Sequence, residues 1–258
     1  MWVQAIPVFQ DIHILRKSML ETLSDYTFLT DRLRYKGYGN GILAGCELTT
    51  TGDSIVLNEG IIFFEEQMFL IKEPISIIYH PTNTTIVLKI CFSDQVEKDN
   101  FICREIDLML TEEMLCKKGE LELCRFKLQE GAKLRFLYQD FGDRNTEFDT
   151  LNTIYAPYSV KGGSTLSPDI LREFAEEMLK TEELSVIDEL FGLQILGKER
   201  PTDLKTLASY LERRDRKKMQ EISNIAIYKE LARILREVKY GEKAETGSVK
   251  KRWNIMVE

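Results

Sequence analysis

The feature that most constrains the fold is an abrupt change of hydrophobic period. Between about residues 41 and 139 the apolar residues come in short runs with a period near two, punctuated by glycine, proline and polar turns; on either side they recur every three or four residues. A period of two belongs to strands that bury one face, and a period near 3.6 to helices that bury one stripe. The chain therefore reads as helix, then β domain, then connector, then helical domain.

Residues 38–71, "YGNGILAGCELTTTGDSIVLNEGIIFFEEQMFLI", show the pattern. "SIVL" and "GIIFF" are strand-like, with Asn58-Glu59-Gly60 as a polar turn between them. "QMFLI", "ISIIY" and "TTIVLKICF" follow, separated by "KEP" and "HPTN". "NFICREIDLML" and "LELCRFKLQEGAKLRF" continue the series, with Glu130-Gly131 expected as a hairpin turn and "TEEMLCKKGE" as a short helix-like excursion. The spacing predicts an antiparallel β-sandwich or barrel in an α+β chain. The expected segments are an N-terminal helical docking segment at 1–37, a β domain at 38–139, an ordered connector at 140–166, a helical domain at 167–240 and a C-terminal arm at 241–258.

The helical periodicity begins near residue 10, where Ile12, Leu15, Met19, Leu23 and Tyr26 share one stripe, and stops at the glycine-rich "YKGYGNG". In the connector, Phe141, Phe148, Tyr155 and Tyr158 supply anchors that a flexible linker would lack. Ser167, Pro168 and Asp169 form a helix start, because the hydroxyl caps, proline suits the first helical position and the acid meets the positive end of the dipole. Three more helices are expected around 182–195, after Pro201 and over about 216–239. The second of the four carries Leu184, Ile187, Leu190 and Phe191 as its apolar positions.

Composition excludes several classes. No window reaches the roughly 18 uninterrupted apolar residues of a membrane span, and the start lacks a basic region followed by an apolar run. These features read as a chain made in the cytoplasm. Five cysteines without a CxxC pair, and two histidines that lie far from them in sequence, argue for reduced thiols and against zinc. Acidic pairs at Glu65-Glu66, Glu112-Glu113, Glu176-Glu177 and Glu182-Glu183 are adjacent in sequence and read as solvated, not as carboxylates flanking one bond. His13 lies between two isoleucines of the first helix and His80 precedes Pro81 in a turn. GxSxG, HExxH and P-loop motifs are absent from the sequence. "KGYGNG" follows a helix and precedes a strand, the reverse of the dinucleotide fingerprint. The expectation is a non-enzyme with no cofactor and no metal.

Charge is uneven. Residues 200–258 hold 15 Lys/Arg against 9 Asp/Glu, while residues 1–199 hold 20 against 33. Such a split favours a contact between one end and an oppositely charged partner, including another copy of the chain. The candidate interface residues are Ile12, Leu15, Met19 and Leu23 on the first helix, Arg213, Arg214, Lys217 and Lys218 in "RRDRKKM", and Trp253 at the C-terminal tip. The chain is acidic overall and lacks the aromatic platforms of nucleic-acid readers, so no nucleic acid is expected.

The opening stretch also resembles a module of structural baseplate and tail proteins of contractile phage tails and phage-tail-like bacteriocins. The matching positions are Gly41, Ile42, Gly45, Cys46, Gly60 and Ile61. The run "YQDFGDRNTEFDTLNTIYAPYSVKGGSTLSPDILREFAEEML" is similar to structural genes of prophage tail clusters in Gram-positive bacteria, so that the similar regions cover about residues 10–180. The resemblance implies a non-catalytic subunit present in several copies of an assembled particle. Its partners would be other baseplate or tail proteins, possible tail fibres among them. A receptor- or glycan-binding module at the tail periphery is the alternative.

Overall fold

The computed structural model describes residues 5–11, 14–216, 218–219 and 222–241. Ile12, His13, Lys217, Trp253 and the arm beyond Gly241 lie outside the described residues. The described chain mixes helix and strand, with four small sheets and five α-helices.

The first helix, α1, spans Lys17–Arg34 and starts later than the periodicity predicts. Ile14 and Leu15 precede it, and its N-terminal residue Arg16 offers no side-chain cap. Thirteen strands follow: β1 (Gly41–Gly45), β2 (Leu48–Thr51), β3 (Ser54–Leu57), β4 (Gly60–Phe64), β5 (Gln67–Ile71), β6 (Ile75–Ile78), β7 (Thr85–Phe92), β8 (Val96–Lys98), β9 (Phe101–Cys103), β10 (Ile106–Thr111), β11 (Glu120–Lys127), β12 (Tyr158–Val160) and β13 (Gly163–Thr165). The remaining helices are α2 (Pro168–Met178), α3 (Val186–Leu196), α4 (Leu204–Asp215) and α5 (Asn224–Tyr240).

The strands do not form one antiparallel sandwich or barrel. They divide into sheets ordered β13-β12-β1-β4-β5, β10-β7-β11, β2-β3-β6 and β8-β9. The largest is mixed, since β1 runs parallel to β12 and antiparallel to β4. The polar turn at Asn58-Glu59 therefore joins two sheets, because β3 pairs with β2 and β6 while β4 pairs with β1 and β5. Glu65 and Glu66 are the two-residue turn between β4 and β5, not strand positions, and both take positive φ, at 48° and 61°. That twist matches the flanking strands.

Two further expectations change. Glu130-Gly131 turns the chain but closes no hairpin, because the free edge of β11 is taken by residues 149–152. Asn152 and Arg125 exchange both backbone hydrogen bonds, and the Asp149 amide donates to the Lys127 carbonyl. Residues 112–119 form turns without helix.

The stretch read as a connector supplies β12 and β13. Its hairpin is stitched to the glycine segment after α1: the Gly39 amide reaches the Val160 and Gly163 carbonyls at 3.1 and 3.2 Å, and the Ser159 hydroxyl donates to the Gly39 carbonyl at 2.6 Å. A Cβ at residue 39 would stand 2.5 Å from the Gly163 oxygen, so only glycine permits this approach.

Two apolar cores result. One fills the β region around Ile55, Leu57, Ile62, Leu88, Ile90 and Leu123. The central strand β7 is buried along most of its length, which explains why apolar residues fill it on both sides of Lys89. The other core joins the four C-terminal helices to Phe141, Ile154 and Leu166, so the connector's Phe141 is a core residue of the helical region. Tyr228 donates to the Phe141 carbonyl at 2.5 Å, and the Phe141 amide donates to the buried Glu177 carboxylate at 2.5 Å. Ser167, Ser185 and Ser223 cap α2, α3 and α5 through hydroxyls that accept from Asp169, Asp188 and Ala226 amides. The helix expected over 216–239 begins only at Asn224, because Arg216 caps α4 in the left-handed conformation with φ 55°.

Candidate interaction surfaces

α1 buries none of its residues. Met19 is half-buried, whereas Leu15, Leu23, Tyr26 and Leu33 are 57%, 43%, 65% and 61% exposed. Met19, Leu23, Tyr26 and Leu33 lie on one side of the helix, spaced by three, four and seven residues. At the C-terminal end of the helix, Tyr35 packs edge-on against Tyr38 at 5.2 Å and lies tilted against Phe63 at 6.1 Å. An isolated amphipathic helix of this length is marginal in water, so a packed partner would supply its stability.

The basic run straddles the end of α4. Arg213, Arg216 and Lys218 are exposed and line a shallow groove of about 350 Å³ with Ser209 and Glu212. Arg214, grouped with them by sequence, points inward. Its Nε donates to Asp188 at 3.0 Å and its Nη1 to Glu237 at 2.9 Å. Asp188 is 2% exposed and also accepts a hydrogen bond from Tyr210 at 2.6 Å. Burial, reinforced by the Asp188 carboxylate, pushes the Tyr210 hydroxyl far up, so it stays protonated and donates. Burial opposes ionisation of Glu237, yet its bonds to Arg214 and Arg233 outweigh that and hold its carboxyl below the usual range. Arg233 extends the network to Glu230 at 2.9 Å and to Asp215, tying α3, α4 and α5 together.

A surface that periodicity alone missed lies on α3. Its inner side buries Phe191, Gly192 and Ile195, with Phe191 stacked on Tyr210 at 3.8 Å. Its outer side exposes Val186, Leu190, Leu193 and Leu196. Leu190, grouped by sequence with Leu184, Ile187 and Phe191, is thus 63% exposed. The available signal was that this helix is apolar on nearly every side. The β8–β9 hairpin is a second such feature, with Val96, Phe101 and Ile102 exposed around a turn in which Asp99 and Asn100 take positive φ.

Chemistry-bearing groups do not gather. Among the described residues, no three or more His, Cys, Asp or Glu are placed to hold a metal ion. Burial raises the thiols of Cys46 to about 12 and of Cys124 still further. Those of Cys91 and Cys116 are raised as well, again chiefly by burial. Glu65 is engaged by Arg104 at 2.7 Å, whose guanidinium lies 5.4 to 5.9 Å from the rings of Phe64, Phe69 and Phe92. No described helix is long and apolar enough to cross a membrane.

No family model matches the sequence, and no curated protein matches it. Among solved structures, the chain is similar to one from the type VI secretion system TssK-TssF-TssG baseplate subcomplex determined by cryo-electron microscopy. The identity is 7%, the match covers 91% of this chain and 99% of that one, and the TM-score is 0.43. It is also similar to the crystal structure of TssK at 9% identity, covering 91% of this chain and 72% of that one, with a TM-score of 0.40.

Proposed function

We propose that this chain is a non-catalytic structural subunit of a phage-tail or tailocin baseplate, joining its neighbours through its flanking helices. The observation that carries the docking role is α1, an 18-residue helix that buries no residue and exposes an apolar stripe. A helix with such a stripe gains little by folding alone and much by packing on a neighbour. The assignment to a tail or baseplate rests on the sequence resemblance at Gly41, Ile42, Gly45, Cys46, Gly60 and Ile61. Arg213, Arg216 and Lys218 offer a second contact, suited to an acidic neighbour.

Deletion of residues 1–36 tests the role. Among the described residues, neither core cluster includes a member of this segment, whose Tyr35 only flanks Phe63, so the remainder should keep its circular dichroism per residue outside α1. It should be lost from purified particles. Particles that incorporate the shortened chain at the normal level would refute the docking role. Binding of the isolated protein to cell-wall material would instead favour the glycan-binding module.

A further inference from the structure

The outer side of α3 and the stripe of α1 are two unpartnered apolar surfaces on one chain, and the geometry points to each covering the other between two copies. We propose that α1 of one copy seats on the α3 stripe of a second copy. This rests on the docking role proposed for α1 and names its partner.

On α3, Val186, Leu190, Leu193 and Leu196 are 72%, 63%, 55% and 38% exposed, and they recur at four, three and three residues along one side. The opposite side is already committed to Tyr210 and to α2, where Gly192 faces Leu179. A helix apolar on both sides is one that is buried on both sides. The stripe spans about 15 Å along the helix, and that of α1 from Met19 to Leu33 about 21 Å, at 1.5 Å per residue. α1 can therefore cover it end to end.

Charge favours this pairing and sets its direction. Exposed Glu182, Glu183 and Glu189 lie just before and in the first turn of α3, while exposed Arg34 and Lys36 lie at the C-terminal end of α1. Running antiparallel, the two helices bring these groups together and also oppose their dipoles. Of the three acids in α1, Glu21 lies on the side away from the stripe, since it is spaced by two from both Met19 and Leu23. Asp25 flanks the stripe, and Asp31 stands 3.9 Å from Arg34 in a surface pair that a new partner must share. Exposed ion pairs of this kind contribute little affinity. They select orientation, while the apolar stripes supply the affinity.

The contact must be between copies. α1 is anchored beside Phe63 and fully buries no residue within its own chain, and the α3 stripe is open in the same structure. It is also heterologous: seating one α1 leaves a free α3 on the first copy and a free α1 on the second. Such a contact repeats into a closed ring or an open row.

That property gives the test. Full-length variants Leu23→Glu/Tyr26→Glu, on α1, and Leu190→Glu/Leu193→Glu, on α3, replace exposed side chains and should keep the wild-type thermal midpoint. Sedimentation of the wild type should show concentration-dependent self-association, to a reciprocal dimer in which both surfaces are filled or to larger species. Each variant alone should be monomeric, with association weakened at least tenfold. Their equimolar mixture retains one intact α1 and one intact α3, and should give a 1:1 dimer that grows no further. A mixture that stays monomeric, or a variant that still self-associates like the wild type, overturns the proposal. So does a wild type that remains monomeric up to about 1 mM, where an interface weaker than roughly 4 kcal/mol would go unfilled. If the contact fails while particle incorporation still requires residues 1–36, α1 docks on a different protein and the docking role stands. If incorporation ignores that deletion, the docking role itself is lost.

Discussion

Arg214 and Arg213 are adjacent, equally charged and equally suited by sequence to an acidic partner, yet the structure gives them different work. Arg213 is exposed in the groove, whereas Arg214 has a side chain only 15% exposed and holds Asp188, whose side chain is 3% exposed. Replacing Arg214 with serine leaves Asp188 with the Tyr210 hydroxyl and without its cation. Stripping one partner from a buried ion pair costs about 3–5 kcal/mol. The residual exposure of Arg214 and the retained Tyr210 bond place this case at the lower end, near 3 kcal/mol. With a urea slope of about 2 kcal/mol/M, the midpoint should fall by roughly 1.5 M. Arg213→Ser should stay within about 0.5 kcal/mol of the wild type. Urea titrations followed by far-ultraviolet circular dichroism measure both, since the affected elements α3, α4 and α5 are helical. Asp188→Asn combined with Arg214→Met removes the stranded charge, so the double variant should lose less than the two single losses added together. Equal midpoints for Arg213→Ser and Arg214→Ser would refute the assignment of Arg214 to the core. The acidic-partner contact is then best tested at Arg213, Arg216 and Lys218, leaving Arg214 intact.

The fully buried Lys89 amino group donates to Glu120 at 2.8 Å and to the Leu115 carbonyl at 2.6 Å. Glu120→Gln should cost about 3 kcal/mol in the same titration, while Lys89→Met should be far better tolerated. The hydrogen bond from Lys89 holds the Glu120 carboxyl below its usual range. Its contribution is therefore complete above the unfolded carboxylate's pKa and is lost as pH falls through the lower folded value, so wild type and Glu120→Gln should converge in stability in acid. At Gly60, an added Cβ would stand 2.4 Å from both the amide nitrogen and the sulfur of Cys46 and 2.7 Å from the Ala44 carbonyl oxygen. Gly60→Ala should destabilise by about 1–3 kcal/mol, read as a lowered thermal midpoint, and more than Gly197→Ala, which sits at φ −76° and whose Cβ would come no nearer than 3.5 Å to its neighbours.

Much of the chain's organisation was legible from local pattern. The Ser-Pro-Asp start of α2 acts through neighbouring residues alone, and the structure reproduces it as a capped helix. In α2 and α4 the buried positions Ile170, Leu171, Phe174, Leu207 and Leu211 recur at three and four residues, because a helix's faces follow from its own periodicity. For α3 the same reasoning failed. Leu190 and Phe191 are equally apolar neighbours, and only the position of Tyr210 on another helix decides which of them is buried. The apolar stripe on α1 was visible in sequence. That the folded chain would leave Leu23, Tyr26 and Leu33 exposed was not.

By itself, then, the sequence determined where α1 gives way to strand, the capped start of α2, and which glycines had to turn the chain, since each of these depends on residues a few positions apart. Tertiary structure decided the rest. It assigned β3 and β4 to different sheets, drew the connector's strands alongside β1, and turned Arg214 inward while leaving Arg213 outside. The physical reason is common to all three: strand partners and ion-pair partners lie far apart along the chain, and a local pattern says that a residue needs a partner without saying which one it will meet.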